Sequence, residues 1–220
     1  MWTRYAGRVP RSRPDAPPPR PTRAQLLASA GRPIPDLIAR DLDVLFCGIN
    51  PGLYSAFTGL HFAKPGNRFW RALHDGGLTR TRLEPWQRQA LLAARLGITN
   101  LVMRSTATAA ELDNEELRAG RARLERKVRR YKPLVVAMVG IGAYRVAFDR
   151  PKAVMGPQPE TIAGVPLWVL PNTSGLNANH QAADFAESFG ALAKAVRTRR
   201  RLSARTCGPM ESSRKEARRR

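Results

Sequence analysis

The sequence predicts an α/β fold, a three-layer α/β/α sandwich around a short and mostly parallel sheet. Short apolar runs of strand length alternate along the chain with longer amphipathic segments of helical period, a pattern typical of parallel strands joined by helices. The chain has 220 residues and is 43% hydrophobic, which is enough for one domain with a substantial core. We therefore expect one domain over 24–197, preceded by a disordered basic arm (1–23) and followed by a disordered basic tail (198–220).

Apolar runs that are bounded by Gly, Pro or polar residues are predicted as buried strands. The last run passes directly into Pro171 and a small-residue loop, so its carboxyl end is well marked. The predicted strands are Asp43–Gly48, Gly97–Val102 including its exit loop, Leu134–Val139 and Val165–Leu170.

Helix signals lie before, between and after these strands. Thr22 is a candidate N-cap of the first helix, and Asp113 or Asn114 of the longest one, which Pro133 stops. The segment 50–66 is punctuated by Gly and Pro and is predicted as a loop. The predicted helices are Ala24–Ala30, Arg68–Asp75, Glu84–Arg95, Asn114–Tyr131, Gly140–Phe148 and Asp184–Arg197.

The formal net charge of +21 is concentrated at the two ends of the chain. Residues 1–23 contain six Arg and one Asp, and residues 197–220 contain ten Lys or Arg and two Glu, whereas 24–196 carries a net charge of +8. Such arms favour a polyanionic partner, most simply nucleic acid. Composition leaves open the alternative that the arms only keep the domain soluble.

The residue inventory argues against several kinds of chemistry. The three His have no metal-ligand spacing, and the two Cys, Cys47 and Cys207, suggest no disulfide framework. Motifs of Ser hydrolases, zinc proteases, P-loops and dinucleotide folds are absent from the sequence. We therefore expect no metal and no cofactor. The Arg/Pro-rich start has no signal-peptide pattern and no apolar run reaches membrane-spanning length, so we expect a cytoplasmic protein that does not bind membranes.

Two loops leave the carboxyl ends of predicted strands, Gly48–Phe62 and Asn172–Asn177. The first begins with a turn in which Asn50 lies between two glycines, and glycine permits a sharp bend and a close approach of ligand to backbone. Pro51 biases Asn50 toward an extended conformation. Ligands bind at the carboxyl ends of strands in open α/β sheets, so these loops predict a cleft that displays Asn50 rigidly.

The segment Cys47–Trp70, CGINPGLYSAFTGLHFAKPGNRFW, closely resembles the first motif of the mismatch-specific uracil-DNA glycosylases, the bacterial relatives of thymine-DNA glycosylase. The segment Asn172–Asn177, NTSGLN, resembles the second motif of that family. The likeness extends over about Asp43 to Arg197. It implies an α/β/α enzyme that removes uracil, and some other damaged pyrimidines, from DNA by hydrolysing the base–sugar bond without a metal or cofactor.

The resemblance also implies roles for residues of the first motif. Asn50 would position the attacking water; an amide accepts a hydrogen bond from water but takes no proton at neutral pH, so we expect a slow enzyme. Phe62 would stack on the flipped base, and backbone N–H groups near Ile49 and Phe62 would hold the departing anion. Gly48 and Ser55 are the other predicted members of the base pocket in this motif. Asn100 lies outside the motif, at the end of the second predicted strand, where its amide would read the edge of uracil. The alternatives are a core Phe62, a plain loop Ser55 and a turn-forming Asn100.

In the second loop, the resemblance implies that Leu176 enters the duplex and fills the gap left by the flipped nucleotide. Backbone groups of Gly175 and Asn177 would then face the unpaired guanine. Asn172 and Ser174 complete this predicted contact, and Lys64 and His180 are candidate phosphate contacts. Thr173 stands where many relatives carry Pro, and no Arg follows the loop where some relatives have one, which leaves guanine recognition open.

Taken together with the residues, the resemblance implies a monomeric, monofunctional glycosylase acting on uracil in double-stranded DNA and preferring G·U mismatches. No Lys is placed to form a Schiff base, so we expect an abasic product and no strand cleavage. Two alternatives stay open at this point: a catalytically silent binder of mismatched or abasic DNA, and a glycosylase whose main substrate is another base, such as ethenocytosine, hypoxanthine or thymine.

Overall fold

The computed structural model describes residues 17–175 and 180–206. Its sheet has five strands in the order β2-β1-β3-β5-β4. The first four in that order run parallel, and the last is antiparallel to its neighbour at the edge, which confirms the predicted α/β fold with a mostly parallel sheet. The strands are β1 (Val44–Gly48), β2 (Leu96–Asn100), β3 (Val135–Val139), β4 (Gly156–Ile162) and β5 (Val165–Leu170).

Helices cover both faces of the sheet, because alternate side chains of each strand point to opposite sides. In β1, Val44 and Phe46 belong to one core cluster, whereas Leu45 and Cys47 belong to the other. The helices are α1 (Arg23–Leu27), α2 (Leu53–Thr58), α3 (Phe69–Asp75), α4 (Arg88–Ala93), α5 (Asn114–Tyr131), α6 (Ile141–Ala147) and α7 (Ala182–Thr206), with a short 3-10 helix at Ala109–Glu111. Helices α3 and α7 pack together, as do α5 and α6.

The capping predictions are confirmed. Thr22 and Gln25 form a capping box at the start of α1, and Asp113 and Glu116 form one at the start of α5. Each box satisfies backbone N–H groups that a helix start leaves without intrahelical partners. Helix α5 ends with Lys132 in the left-handed region, directly before Pro133.

The predicted loop over 50–66 is wrong in its first half, since it contains α2. Gly52 begins this helix in an extended conformation, and Gly59 ends it with φ 70°. A left-handed glycine just after the last turn is a common helix stop. The short length of α2 and its lack of acidic or basic residues at the ends hid it among the other Gly and Pro signals of the segment.

Strand β4 and the end of α7 also differ from the sequence predictions. The prolines of β4 argue against a central strand, but β4 lies at the sheet edge, where a missing N–H is tolerated. Helix α7 continues to Thr206, so residues 198–206 are helical although the sequence predicts a disordered tail from 198. Helix α4 is shorter than predicted, because 84–87 form a turn before it. No helix in the described ranges has the length and apolar character needed to cross a membrane.

Candidate active site

A cavity of about 550 Å³ opens at the carboxyl ends of the parallel strands, which is the edge that the sequence predicts. Strands β1 and β5 flank β3, and the loops that follow both of them reach this cavity. The predicted site residues that line it are Ile49, Asn50, Ser55, Phe62, Lys64, Asn100, Asn172, Ser174 and His180. Gly48 and Gly175 are not among the lining residues, and Leu176 and Asn177 lie outside the described residues.

The side chain of Asn50 has a defined orientation. Its Nδ2 donates hydrogen bonds to the backbone O of Arg104 (3.0 Å) and to Oγ1 of Thr106 (2.7 Å). A backbone carbonyl only accepts, so the atom facing Arg104 must be the nitrogen. Asn50 is half-buried, and its Oδ1 accepts no hydrogen bond from a described residue. The carboxamide is therefore locked with its oxygen available to a water molecule.

The segment 104–108, which holds Asn50, is itself fixed by hydrogen bonds and an ion pair. The sequence analysis did not identify this segment. Thr106 donates from Oγ1 to the backbone O of Thr108 (2.7 Å) and from its N–H to the O of Pro51 (3.1 Å). The Arg104 guanidinium binds the carboxylate of Glu116, on α5, through two nitrogens. The hydrogen bond from Arg104, followed by one from the backbone of Asp113, lowers the pKa of Glu116 to about 2, so the pair stays charged at neutral pH.

Phe62 serves both the core and the cavity. Its ring stacks on Phe69 with centroids 4.0 Å apart and planes 19° apart, while the residue also lines the cavity. Its φ of 52° places it in the left-handed region, which is uncommon for a residue with a side chain and costs energy that packing must offset. Phe69 and Trp70 are buried in the core, at 0% and 5% exposure.

Asn100 is buried at the end of β2 and is oriented by a histidine. His61 Nε2 lies 2.9 Å from the backbone O of Pro35, so this nitrogen carries the proton and Nδ1 can accept. The Nδ2 of Asn100 lies 3.4 Å from that Nδ1. Burial lowers the pKa of His61 from 6.5 to about 4, so the imidazole is neutral at physiological pH and Asn100 keeps this orientation.

Gly48 lies behind the cavity wall rather than in it. A Cβ at this position would lie 2.6 Å from Oδ1 of Asn100 and 3.2 Å from Cζ of Phe62. Any side chain here would displace both residues. Gly48 is therefore required by the close approach of the two side chains that face the cavity.

Ser55 and the second loop complete the walls. Ser55 is buried on α2, and its Oγ accepts a long hydrogen bond from the N–H of Ala63 (3.4 Å). In the second loop, Asn172 Oδ1 accepts from the N–H of Ser174 (3.0 Å). The hydroxyl of Thr173 is buried and has no hydrogen-bond partner among the described residues. Gly175 approaches Gly66 so closely that a Cβ would lie 3.0 Å from its carbonyl oxygen.

Arg68, which the sequence analysis missed as a site residue, joins the start of α3 to the second loop. Its guanidinium donates to the backbone O of Ser174 (2.6 Å) and of His180 (3.0 Å), and its N–H donates to the O of Thr173 (2.9 Å). The guanidinium also lies 4.7 Å from the ring centroid of Phe185. The second loop is thus held by one residue from the start of α3.

The cavity wall is nearly free of charge. Among the described residues that line it there is no Asp or Glu, and Lys64 is the one Lys or Arg. Lys64 is exposed and His180 is half-buried. Over residues 17–175 and 180–206, no group of three or more His, Cys, Asp or Glu is arranged to hold a metal ion. The wall therefore offers amides, small residues and an aromatic ring.

Comparison with known proteins identifies a family for this chain. Residues 35–196 match the family model described as the uracil DNA glycosylase superfamily. An NMR structure of a candidate uracil DNA glycosylase from Methanosarcina acetivorans is similar at 19% identity and a TM-score of 0.46, over 74% of this chain and 98% of that one. The family match contains all five strands and both loops that border the cavity, and on this basis the chain belongs to the uracil DNA glycosylase superfamily.

Proposed function

We propose that this protein is a monofunctional DNA glycosylase that hydrolyses the N-glycosidic bond of uracil in double-stranded DNA, preferring G·U mismatches. Membership of the superfamily implies a hydrolase of the glycosylase type that acts on DNA; the substrate, the mismatch preference and the mechanism are the proposal. The observation that carries it is the locked carboxamide of Asn50, whose oxygen accepts no hydrogen bond from a described residue and borders a cavity with no carboxylate among its described lining residues.

In the proposed mechanism, the protein contributes mainly by positioning the attacking water and the nucleotide. Cleavage of the C–N bond builds positive charge on the sugar and negative charge on the uracil ring. A water held by Oδ1 of Asn50 then attacks the anomeric carbon, and holding it in line lowers the barrier by positioning. The proton that this water loses passes to the departed uracil anion, directly or through solvent. No carboxylate of the cavity wall can take the proton of this water, so we expect slow turnover.

Two residues support selection of a uracil base. The ring of Phe62, supported from behind by Phe69, offers a stacking surface. His61 holds the amide nitrogen of Asn100, which leaves Oδ1 as an acceptor for the N3–H of uracil. Cytosine carries an acceptor at N3 and would be disfavoured. The backbone N–H of Phe62 forms no hydrogen bond with a described residue, so it is a candidate donor to the departing base.

The wider contacts with DNA belong to the proposal as well. We propose that a nucleotide is flipped into the cavity while Leu176 fills its place in the duplex and Gly175 and Asn177 face the opposite guanine. Lys64 and His180, at the cavity wall, would meet phosphates. A monomer acting on DNA in the cytoplasm is sufficient for this chemistry.

A panel of labelled 35-mer duplexes tests this function. The panel contains uracil opposite guanine, uracil opposite adenine, and ethenocytosine, thymine or hypoxanthine in the same context, and each reaction is followed by alkali. We expect alkali-labile product to form fastest from the G·U duplex, and no strand cleavage before alkali. Because Lys64 lines the cavity, borohydride trapping is included, and we expect no covalent product.

Each other outcome of the panel overturns part of the proposal. Product from none of the duplexes, with retained binding to the G·U duplex, would make the protein a silent binder. Faster release of another base would change the substrate and leave the hydrolytic mechanism in place. A trapped adduct would identify Lys64, or another amine, as a nucleophile and would end the monofunctional assignment.

A further inference from the structure

A second groove, of about 330 Å³, lies beside the base cavity. Phe62, Lys64 and Asn67 line both spaces, so the groove begins where the cavity ends. Its far side is formed by the turn 82–86 and by the N-terminal segment 17–20. A DNA strand with one nucleotide in the cavity must leave it along an open side, and this groove continues one of those sides.

The groove combines aromatic and basic side chains. Tyr54 and Trp86 line it and are both half-buried. Arg20, Lys64 and Arg82 line it, are exposed, and form no ion pair with a described residue. Grooves that bind single-stranded nucleic acid use this combination, with aromatic rings stacking on bases and cations following the phosphates.

Trp86 is held on a fixed turn. The neighbouring Leu83 is buried in the core at 6% exposure. The N–H of Glu84 donates to Oε1 of Gln87, and the N–H of Gln87 donates back to the O of Glu84, both at 2.9 Å. The aromatic ring is thus carried by backbone that need not reorganise when a base arrives, which lowers the entropic cost of binding.

We propose that this groove binds the nucleotides of the damaged strand that directly flank the flipped nucleotide, with Trp86 stacking on a flanking base and Arg82 contacting a phosphate. The inference rests on the proposed function, because it needs a strand that enters the base cavity. Both residues lie outside the two motifs on which the family resemblance depends.

The groove has one rival occupant on this chain, the proline-rich segment itself. Pro17 and Pro18 already line the groove, and proline-rich segments do bind aromatic-lined grooves. The charge distribution favours the DNA strand, because Lys64 and Arg82, which form no ion pair with a described residue, line a groove in which Glu84 is the one acidic residue among the described lining residues. A proline-rich segment would provide no negative charge for Lys64 and Arg82, whereas the phosphates of a DNA strand would neutralise them.

Single-stranded uracil oligonucleotides test this inference on the full-length protein. In each, a tetrahydrofuran abasic residue replaces one nucleotide at one of the two positions on either side of the uracil. The readouts are the half-saturating protein concentration in single-turnover excision and the affinity by fluorescence anisotropy. With the wild type, removing the base that stacks on Trp86 should weaken binding roughly 5- to 150-fold, the range of one base–aromatic stack.

The Trp86→Ala variant should show the same loss with the intact oligonucleotide and no further loss with that abasic position. Trp86→Phe should retain most of the affinity. Arg82→Ser should reduce the salt slope of binding by about one phosphate contact. Arg80→Ser is the matched control, because Arg80 is exposed two positions away and does not line the groove.

Equal affinities of the wild type and Trp86→Ala for every oligonucleotide, with normal uracil excision, would overturn the groove proposal and leave the segment 17–20 as its occupant. Absence of excision by the wild type from a G·U duplex would instead contradict the proposed function. The anisotropy comparison then still decides whether Trp86 stacks on a base, so the two failures are distinguishable.

Discussion

Two carboxamides stand at the carboxyl ends of neighbouring strands, and they are held in different ways. Asn50 follows β1 and is half-buried; its nitrogen donates to a backbone carbonyl and a hydroxyl. Asn100 ends β2 and is 5% exposed; its nitrogen faces the imidazole of His61. In both, the nitrogen is engaged by the protein, which leaves the oxygen for the cavity.

The difference teaches how one cavity separates two tasks. The partners of Asn50 do not titrate, so its oxygen keeps one orientation over a wide pH range and suits a reacting water. The partner of Asn100 is a histidine whose neutrality depends on burial, so the proposed base-reading amide is the one that acid can disturb. We therefore expect substitutions and pH to act differently on Asn50 and on Asn100.

Asn50→Ala should have the largest effect, a fall of about 10²- to 10³-fold in single-turnover excision of uracil, the range for losing one preorganised polar group. Affinity for a duplex with an abasic analogue should stay close to that of the wild type, because the half-buried amide contacts protein through its nitrogen. Asn114→Ala, at an exposed position on α5, is the control. Wild-type excision by Asn50→Ala would remove Asn50 from the mechanism.

Acid should lower the stability of the protein through His61, the residue that orients Asn100. The folded state holds the pKa of His61 near 4, below the 6.5 of an unfolded chain, so the unfolded state binds more protons between these values. Stability is therefore fully present above pH 6.5 and falls as the pH falls through about 4, by about 3 kcal/mol from this residue. The free energy of unfolding in urea, measured between pH 7 and pH 4, checks this value.

The matched variant for this pH effect is His61→Gln, which cannot titrate but can still donate to Pro35. Its unfolding free energy should depend less steeply on pH between 6.5 and 4 than that of the wild type. His74→Gln, at an exposed position, is the control substitution. An unchanged slope in His61→Gln would contradict the burial of a neutral imidazole behind Asn100.

Thr106→Val should have a smaller effect on the rate of uracil excision than Asn50→Ala. It removes the hydrogen bond to Nδ2 of Asn50 and the one that Oγ1 of Thr106 donates to the O of Thr108. Loss of the first corresponds to about 1 kcal/mol or roughly fivefold in rate. Thr106→Ser keeps the oxygen and should restore most of the rate, with half-saturating DNA concentrations alike in all three proteins. A rate loss in Thr106→Ser equal to that in Thr106→Val would point to packing of the methyl group instead.

Thr173→Val should have the smallest effect of these substitutions. It should leave the stability of the protein unchanged or raise it, rather than lower it. The hydroxyl of Thr173 is buried at 1% exposure without a partner among the described residues, and removing such a group is neutral or stabilising by up to about 1 kcal/mol. Thermal unfolding of the two proteins at one pH measures the difference. A clear loss of stability would show that the hydroxyl is satisfied.

The sequence predicts the parallel strands and the turn that carries Asn50, because apolar runs, glycines and a proline act locally. It does not predict Arg104 and Thr106, which reach Asn50 from 54 and 56 residues away. No local signal marks such a contact, since it exists only once β1 and β2 pair. The Thr- and Ser-rich exit from β2, which includes Thr106 and Thr108, is the feature that could have drawn attention to this segment.

The same contrast applies to the fold and to the cavity wall. Strand β4 was missed because its prolines indicate a loop unless the edge position is known. Asn100 and Phe62 were predicted as base-pocket residues, but the closeness that makes Gly48 necessary depends on three separate segments meeting. Residues that act on their neighbours in sequence were predictable, whereas residues that orient distant groups were not.

The most direct test of the central claim is a double-mutant cycle between Asn50 and Thr106, measured as single-turnover uracil excision at saturating protein. If Thr106 acts by orienting the Asn50 carboxamide that holds the water, Thr106→Val should slow the wild type roughly fivefold and should have no effect in the Asn50→Ala background. Equal slowing by Thr106→Val in both backgrounds would contradict the account.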